Sequence, residues 1–420
     1  MTPLDRLPKD PLHLAKKSDG MGLRDYTDQT DMRRMRQYRM KRVQDQLKRL
    51  DYGAAILLDP INIRYTTGSR NMAVWTLHNA ARYAFVPAEG KAVLFDFHGC
   101  AHLSDGMETI GEVRPARAYF FFSAGNRAPE KAKLWAKELA DLVRAHCGSN
   151  RRIAFDHVDP MGARALEAEG IEIFDAQEPV ELARAIKSKD EIDCMLHSIA
   201  VCEAGMARMQ EALKPGMTEN EVWSILNDTN HRMGGEWIEC RLLASGGRTN
   251  PWFQECSDRI IRPGDIVSFD TDLIGPFGYC ADISRSFFCG PGRASEEQRR
   301  IYGLAMEQIH FNIDLVKPGV AFREFAEKAW RIPNAYVANR YSCVAHGVGL
   351  CDEWPKVAHH VDYDRSGYDG ILEPGMTICV ESYIGAEDGA EGVKLEQQVL
   401  VTEQGYQLLS TYPFEEKLGG

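Results

Sequence analysis

The first 185 residues alternate between short apolar runs and longer amphipathic stretches, a pattern typical of an α/β domain. Residues 1–29 are polar, contain proline and predict an arm that lies over a partner subunit. The predicted elements that follow are a helix from Asp31 to Leu50 capped by Thr30, a strand at 54–58, a hairpin of 83–86 with 92–95, a helix over 131–147 and a strand at 152–155. We therefore expect a first domain over residues 1–185.

Residues 186–420 begin with helical patterns and end with strand patterns. A long helix is predicted from about Ala185 to Leu213, where a Pro-Gly pair follows. Thr218 and Glu221 have the spacing of a capping box and predict the start of a second helix. The later elements are a helix over 295–315 and strands at 376–384 and 392–402. This pattern predicts a second α/β domain over residues 186–420.

The run from Ile266 to Phe288 combines apolar positions with acidic side chains and predicts the chemistry of the chain. Asp270 and Asp272 are two residues apart, so on a strand both would face the same side. The Gly-Pro-Phe-Gly segment at 275–278 predicts a turn that returns Asp282 to their side. Carboxylates that converge in this way are tolerated when a multivalent cation lies between them. The alternative is a solvated turn aspartate.

Three later residues have side chains that could complete a metal site. His346 lies in a His-Gly-Val-Gly segment, while Glu381 and Glu396 each interrupt an apolar strand. Taken singly, the alternatives are a structural histidine and edge-strand acids that face water. Hard oxygen ligands with one imidazole suit Mn, Fe, Co or Zn. Because one divalent ion needs fewer carboxylates, we expect two ions about 3.5–4 Å apart. The predicted ligands are Asp270, Asp272, Asp282, His346, Glu381 and Glu396.

Composition restricts the expected partners and the compartment. With 50 basic and 61 acidic side chains the net charge is −11, and there is no long basic stripe, so neither nucleic acid nor an anionic membrane is an expected partner. No stretch of the sequence reaches the ~18 uncharged apolar residues of a membrane span, and residues 1–17 lack the apolar core of a signal peptide. Eleven cysteines without a CxxC pair indicate reduced thiols, so a cytoplasmic location is expected.

Six short segments, in this order, resemble the creatinase/prolidase/methionine aminopeptidase superfamily. They are Lys-Pro-Gly-Met-Thr-Glu at 214–219, Pro-Gly-Asp at 263–265, Tyr-Cys-Ala-Asp-Ile-Ser-Arg-Ser at 279–286, His-Gly-Val-Gly-Leu at 346–350, Glu-Pro-Gly-Met at 373–376 and Gly-Val-Lys-Leu-Glu at 392–396. The resemblance covers residues 186–410 and implies a pita-bread domain. Residues 59–65 resemble part of the superfamily's N-terminal domain. The resemblance therefore implies an α/β protein with a creatinase-like N-terminal domain, a C-terminal pita-bread domain and a homodimeric assembly.

The sequence departs from the peptidases of this superfamily at two positions. Those enzymes carry one histidine before the first ligand aspartate and another soon after the His-Gly-x-Gly motif, and both act on the peptide. Here the corresponding segments, 250–255 and 351–355, contain no histidine, and Asp272 replaces a usual glycine. The sequence keeps the predicted metal ligands, lacks these two histidines and has an aspartate soon after His346. In these three features it resembles the DddP-type dimethylsulfoniopropionate lyases. That resemblance implies a sulfonium carboxylate substrate and a binuclear divalent metal site, with iron favoured over Zn, Mn, Co or Ni.

The resemblance implies roles for residues near the predicted metals. Asp352, expected on a loop, would remove the proton next to the substrate carboxylate, and its neighbour Glu353 is the rival base; a surface acid without a role is the alternative. Tyr341 would bind the substrate or orient the base. Aromatic faces attract sulfonium cations, and the candidates besides Tyr341 are Trp354, Trp252 and Phe253, each of which could instead belong to the core.

Two other interpretations of the sequence remain. A metallopeptidase of the Xaa-Pro type would need Asp352, Glu353 or His359 to replace the lost histidines. A binding protein without activity would have no need for six ligands. The pair His359-His360 is expected to be a solvated loop rather than a substitute for a missing histidine.

Overall fold

The computed structural model describes residues 30–419, which belong to two compact units that divide between Arg184 and Ala185. The predicted arm over residues 1–29 lies outside the described residues. Among residues 30–419, no helix combines the length and the apolar character needed to cross a lipid bilayer.

The first unit is built on one mixed sheet of six strands in the order β4-β3-β2-β1-β5-β6. Its strands are β1 (Ala54–Leu57), β2 (Tyr83–Pro87), β3 (Ala92–Asp96), β4 (Ile110–Pro115), β5 (Arg152–Phe155) and β6 (Glu172–Asp175). Its helices are α1 (Met32–Arg49), α2 (Pro60–Thr67), α3 (Ala73–Thr76), α4 (Phe121–Ala124), α5 (Ala128–His146), α6 (Pro160–Ala168) and α7 (Gln177–Ala185). The hairpin predicted from the apolar runs is confirmed, because β2 and β3 pair antiparallel.

The amphipathic helix α5 covers this sheet with its apolar side. Trp135 and Leu139 are almost fully buried and share a core with Phe85 and Phe95 of the sheet. The start of α1 differs from the prediction by one residue, because the carboxylate of Asp31, rather than the hydroxyl of Thr30, accepts from the backbone N–H of Arg34. Both residue types are good caps, so the pattern alone could not choose between them.

The second unit contains three sheets. Its strands are β7 (Trp237–Ile238), β8 (Leu243–Ser245), β9 (Ile266–Phe269), β10 (Leu273–Ile274), β11 (Cys280–Ala281), β12 (Arg285–Phe288), β13 (Ala345–Val348), β14 (Asp352–Val357), β15 (Thr377–Ile384), β16 (Val393–Thr402) and β17 (Gly405–Leu408). Its helices are α8 (Lys189–Ala212), α9 (Glu219–Arg232), α10 (Glu296–Asp314), α11 (Phe322–Lys328), α12 (Tyr363–Ser366) and α13 (Glu416–Gly419). The sheets have the orders β14-β13-β15-β16-β17, β12-β9-β8 and β11-β10-β7.

The long helices of the second unit begin where their capping residues predict. Thr218 and Glu221 form the predicted capping box of α9, and Ser188 with Glu191 and Ser295 with Gln298 form the same arrangement at α8 and α10. Helix α10 then packs against β15 and β16, and its Ile301, Tyr302 and Ile309 share a core with the apolar residues of those strands. This packing supports the sheet that carries His346, Glu381 and Glu396.

The acidic run folds back on itself as predicted, but its aspartates do not lie on strands. Strand β9 pairs with β12 and β10 pairs with β11, each pair antiparallel, around a turn at Pro276–Gly278. Asp270 and Asp272 lie in the break between β9 and β10, where Asp272 has a left-handed φ of 35°. Asp282 lies in the matching break between β11 and β12. The argument from strand alternation was therefore wrong, and the carboxylates converge because the breaks adjoin.

Candidate metal centre

Paired strands bring three of the predicted ligands onto one face of the five-stranded sheet. Glu381 of β15 is directly opposite Glu396 of β16 in the antiparallel register. His346 of β13 pairs with Cys379, two residues before Glu381 on β15. His346 Nε2 consequently lies 3.2 Å from Glu381 Oε1 and 3.6 Å from Glu396 Oε1. Sequence patterns predicted β15 and β16 but not β13, and the pairing of the three strands supplies the convergence.

The aspartates of the acidic run meet this face from the neighbouring strand breaks. Asp270, Asp272 and Asp282 each offer an oxygen, and these three oxygens lie within 4.8 Å of one another. Asp282 also joins His346 and Glu396, since its Oδ2 is 3.6 Å from His346 Nε2. The structure therefore brings all six sequence-predicted ligands into one continuous cluster.

Lys394 is a part of the centre that the sequence prediction missed. Its side chain is fully buried, and its ammonium lies 3.1 Å from Asp270 Oδ2, 2.7 Å from Glu381 Oε2 and 3.2 Å from Glu396 Oε2. It also lies 4.5 Å from the centre of the Tyr341 ring. A lysine two residues before Glu396 on a buried strand was a usable signal, because both side chains point to the same face.

Ser284 links the two halves of the cluster. Its hydroxyl lies 2.7 Å from Asp270 Oδ1 and 2.8 Å from Glu396 Oε2, and it accepts from the Lys394 ammonium at 2.6 Å. The backbone N–H of Thr271 donates to Asp270 Oδ1 at 3.1 Å. These bonds fix the carboxylates of Asp270 and Glu396 before any ligand binds, as a preorganised site requires.

Burial and mutual repulsion shift the pKa values of the acidic cluster. Burial raises the pKa of Asp270 to about 7, with Lys394 opposing the rise. Burial, followed by repulsion from neighbouring aspartates, holds the pKa values of Asp272 and Asp282 well above their usual range. Burial also disfavours the ionised form of Glu396, but Lys394, His346 and Asp270 together outweigh burial, and the pKa of Glu396 falls well below its usual range. Negative charge is therefore under-compensated at the aspartates.

The donor atoms fit hard divalent cations. Asp282 Oδ1 and Glu396 Oε1 are buried oxygens without a hydrogen-bond partner among residues 30–419, a costly state that a metal ion would relieve. Cys379 Sγ lies in the group formed by Asp282, His346 and Glu396, but burial, then nearby carboxylates, hold its pKa well above the usual range. The oxygen-rich donor set and the imidazole suit Mn, Fe, Co or Zn rather than a thiolate-bound ion.

The structure separates the two acids that the sequence offered as bases. Asp352 is the first residue of β14, not a loop residue, and its Oδ1 lies 3.7 Å from His346 Nδ1 with 59% of the side chain exposed. Glu353 points to the other face, where it forms a buried ion pair with Lys187. A Cβ at Gly349 would collide with the Glu353 carboxylate, which accounts for the glycine there. The geometry favours Asp352.

The predicted aromatic residues do not form one cage. The ring of Phe253 stacks on Tyr341 with centroids 5.4 Å apart, and Phe253 is 56% exposed. Trp252 is buried beside Tyr383, and Trp354 contacts Phe322 of the helical core. Of these four residues, the structure groups only Tyr341, which lies beside Lys394, and Phe253, which stacks on Tyr341.

The prediction of a solvated histidine pair is wrong for His359. Its side chain is buried, and burial followed by the nearby Arg340 guanidinium lowers its pKa to about 4, while His360 is exposed. The sequence could not predict this burial, because the segment between β14 and α12 has no regular hydrophobic period.

Comparisons with known proteins agree with these features. The family model of metallopeptidase family M24 matches residues 193–403, and that of the creatinase/prolidase N-terminal domain matches residues 39–186. Dimethylsulfoniopropionate lyase DddP of Roseovarius nubinhibens is 44% identical over 93% of this chain and 89% of that protein. The DddP lyase of Roseobacter denitrificans is 41% identical over 94% and 89%.

Solved structures of similar fold come from peptidases. The Xaa-Pro dipeptidase from Bacillus anthracis superposes with a TM-score of 0.74 at 21% identity, over 90% of this chain and 99% of that chain. The prolidase from Pyrococcus furiosus gives 0.70 at 20% identity, over 88% and 99%. The predicted architecture, a creatinase-like N-terminal domain followed by a pita-bread domain, is confirmed. The chain is an enzyme that belongs to the DddP family of dimethylsulfoniopropionate lyases, which shares the fold of metallopeptidase family M24.

Proposed function

We propose that this enzyme cleaves dimethylsulfoniopropionate to dimethyl sulfide and acrylate with Asp352 as its base. The observation that carries the proposal is the position of Asp352, solvent-accessible and 3.7 Å from the predicted ligand His346. The names of the two DddP relatives supply the substrate. The absence of histidine from segments 250–255 and 351–355 argues against peptide hydrolysis, because the residues expected to stabilise its intermediate are missing.

We propose two divalent ions, with iron favoured, held by the six clustered ligands. Five carboxylates and the Lys394 ammonium leave four surplus negative charges when all are ionised, which two divalent ions cancel. When bound, such ions supply positive charge that stabilises negative charge developing on a substrate carboxylate. The ligands are Asp270, Asp272, Asp282, His346, Glu381 and Glu396.

The reaction is an elimination that needs one base. Asp352 takes the proton from the carbon next to the substrate carboxylate. The electron pair of that C–H bond forms the carbon–carbon double bond of acrylate, and the pair of the C–S bond leaves with sulfur as neutral dimethyl sulfide. Lys187 holds Glu353 on the opposite face of β14, so Glu353 cannot compete for the proton.

Tyr341 and Phe253 are proposed to contact the sulfonium group. Their stacked rings lie beside the cluster, and aromatic faces attract such cations by about 0.5–2 kcal/mol. Tyr341 also packs against the Lys394 ammonium, which helps to fix the position of its ring. Trp252 and Trp354 are proposed to shape the surrounding wall, since each packs against another ring, Tyr383 and Phe322 respectively.

The test is headspace dimethyl sulfide released by purified, metal-quantified protein given dimethylsulfoniopropionate. We expect release that stops when a chelator strips the metal and returns when iron is restored. An Xaa-Pro dipeptide assayed in parallel should remain intact. Dipeptide hydrolysis without sulfide release would overturn the proposal in favour of a peptidase.

We also propose the assembly, the domain boundary and the compartment. Phe121 and Phe122 of the first unit are 78% and 81% exposed, a costly arrangement that a homodimer contact would remove. We propose that the boundary between the two domains lies between residues 185 and 186, one residue after the point at which the two compact units divide. All eleven cysteines are free thiols, which is typical of the cytoplasm. Light scattering of the wild type and of Phe121→Ser would test the dimer, which the variant should weaken.

A further inference from the structure

A cavity of about 450 Å³ opens beside Tyr341 in the second unit. We refer to it as the vestibule, and its lining residues are Ala338, Arg340, Tyr341, Ser342, Lys356, Ala358, Asp362, Arg365 and Ser366. Three of these side chains are cationic and one is anionic. Tyr341 belongs both to this wall and to the metal centre, where its ring faces Lys394. The vestibule therefore adjoins the candidate active site.

Strand register places Lys356 on the face that carries the metal ligands. Lys356 of β14 is opposite His346 of β13, and Asp352 is opposite Val348, two residues further along β13, with a break in the register between His346 and Gly347. Directly opposed residues of antiparallel strands project to the same face. Lys356 and Asp352 therefore share the face of His346, whereas Glu353, opposite Gly347, projects to the other face.

The positive charges of the vestibule are only partly compensated. Arg340 is fixed by two hydrogen bonds to the Asp362 carboxylate and by one to the backbone oxygen of Val337. Arg365 is 86% exposed and lies 3.9 Å from the same carboxylate. The ammonium of Lys356 has no hydrogen bond or ion pair within residues 30–419. Three cations and one anion leave a surplus of two positive charges in a chain of net charge −11.

We propose that the vestibule binds small monocarboxylates and that Lys356 is the cation that recognises them. The ammonium of Lys356 is available to an anion, whereas the guanidinium of Arg340 is held by Asp362. Ala338 and Ala358 line the vestibule with short apolar side chains that suit a chain of two or three carbons. Surplus positive charge in the vestibule raises the local concentration of an anion beside Tyr341. The inference rests on the proposed function, whose substrate and product both carry a carboxylate, and it makes Lys356 a specificity-determining residue.

The experiment is calorimetric titration of metal-loaded protein with propionate, which carries the carboxylate but cannot be eliminated. Propionamide, of the same shape without charge, is the comparison ligand. We compare the wild type with Lys356→Gln, Arg365→Gln and the double variant. The matched control is Lys317→Gln, an exposed lysine of the same unit without an ion-pair partner within residues 30–419. Inhibition of sulfide release by propionate is measured in the same proteins.

We expect Lys356→Gln to weaken propionate binding roughly three- to fivefold, the worth of one partly exposed ion pair. The double variant should weaken it further, while Lys317→Gln and all titrations with propionamide should remain unchanged. The inhibition constant of propionate should rise in parallel.

Two results would overturn the proposal that the vestibule binds monocarboxylates through Lys356. They are unchanged propionate binding in Lys356→Gln and no propionate binding to the wild type at millimolar concentration. Equal weakening by Lys317→Gln would also overturn it, because the effect would then come from net charge alone. If the variants lose propionate binding but the wild type releases no dimethyl sulfide, the vestibule stands and the proposed function fails. If the wild type releases sulfide but no variant changes propionate binding, the proposed function stands and the vestibule fails.

Discussion

Two lysines are buried in the second unit, and their surroundings differ in charge. Lys187 forms an ion pair with Glu353, in which the two side chains are 2% and 0% exposed. Lys394 is equally buried but contacts three carboxylates, those of Asp270, Glu381 and Glu396. The charges of Lys187 and Glu353 are therefore balanced, whereas the carboxylates around Lys394 carry more negative charge than this lysine can cancel.

The difference identifies which cluster has a function beyond folding. A balanced buried pair needs nothing further, because each charge has its partner. The excess of carboxylates around Lys394 can persist only if protons or metal ions compensate it. Burial, and after it repulsion from neighbouring carboxylates, raises the pKa values of Asp270, Asp272 and Asp282. Unbalanced buried charge, rather than buried charge itself, marks the centre.

The largest expected effect is the loss of metal from the cluster around Lys394. We expect His346→Ala to lower metal affinity roughly a hundredfold or more, since it removes a ligand and its contacts to Glu381 and Asp282. Elemental analysis after dialysis measures the bound metal. His360→Ala, which removes an exposed histidine, is the control and should retain the wild-type content. A full metal complement in His346→Ala would remove His346 from the ligand set.

The second largest expected effect is the loss of turnover when Asp352 is replaced. Asp352→Asn should retain metal and thermal stability yet reduce kcat by about 10²–10⁴, the range for loss of a general base. Asp369→Asn, an exposed acid in the same unit, should leave kcat unchanged. Turnover at the wild-type rate in Asp352→Asn, with metal bound, would exclude Asp352 as the base.

We expect the ion pair of Lys187 with Glu353 to affect the stability of the fold but not the binding of metal. Lys187→Met leaves the Glu353 charge buried without its lysine partner and should lower the free energy of unfolding by about 3–5 kcal/mol, with or without metal. Lys189→Met removes an exposed i,i+4 pair with Asp193 and should cost less than about 1 kcal/mol. Urea denaturation followed by tryptophan fluorescence is suitable, because five of the seven tryptophans lie beyond residue 185.

A Lys187→Met protein as stable as the wild type would mean that Glu353 is neutral or hydrated. The double variant Lys187→Met/Glu353→Met separates these cases. If the single variant suffers from an uncompensated charge, removal of both charges should recover most of the loss. No recovery would show that packing, not charge, holds this region.

Local patterns predicted the elements of the fold because capping and periodicity act over a few residues. The sequence alone predicted the capping box at Thr218 and Glu221 and the start of α10 after Ser295. Glu381 and Glu396 were found in the same way, since an acid inside an apolar strand needs a reason to be there. These inferences did not depend on which strands become neighbours.

What the sequence could not provide depends on pairing between distant segments. The contact of Lys187 with Glu353 joins residues 166 positions apart, so no local pattern separated Glu353 from Asp352. Lys394 likewise acquires its role when β16 pairs with β15. The breaks that hold Asp270, Asp272 and Asp282 also violate strand alternation, and a functional site is where such departures are expected.

The buried His359 differs from both lysines, because burial keeps its ring neutral. Burial, and then Arg340, lowers its pKa to about 4 from the ordinary 6.5. Between these values the unfolded chain binds the proton and the folded protein does not, so stability is lost as the pH falls from 6.5 to 4, by up to about 1.4 kcal/mol per pH unit. His359→Gln should remove this part of the slope, measured by urea denaturation at several pH values, whereas His360→Gln should retain it. An unchanged slope in His359→Gln would mean that His359 is protonated in the fold.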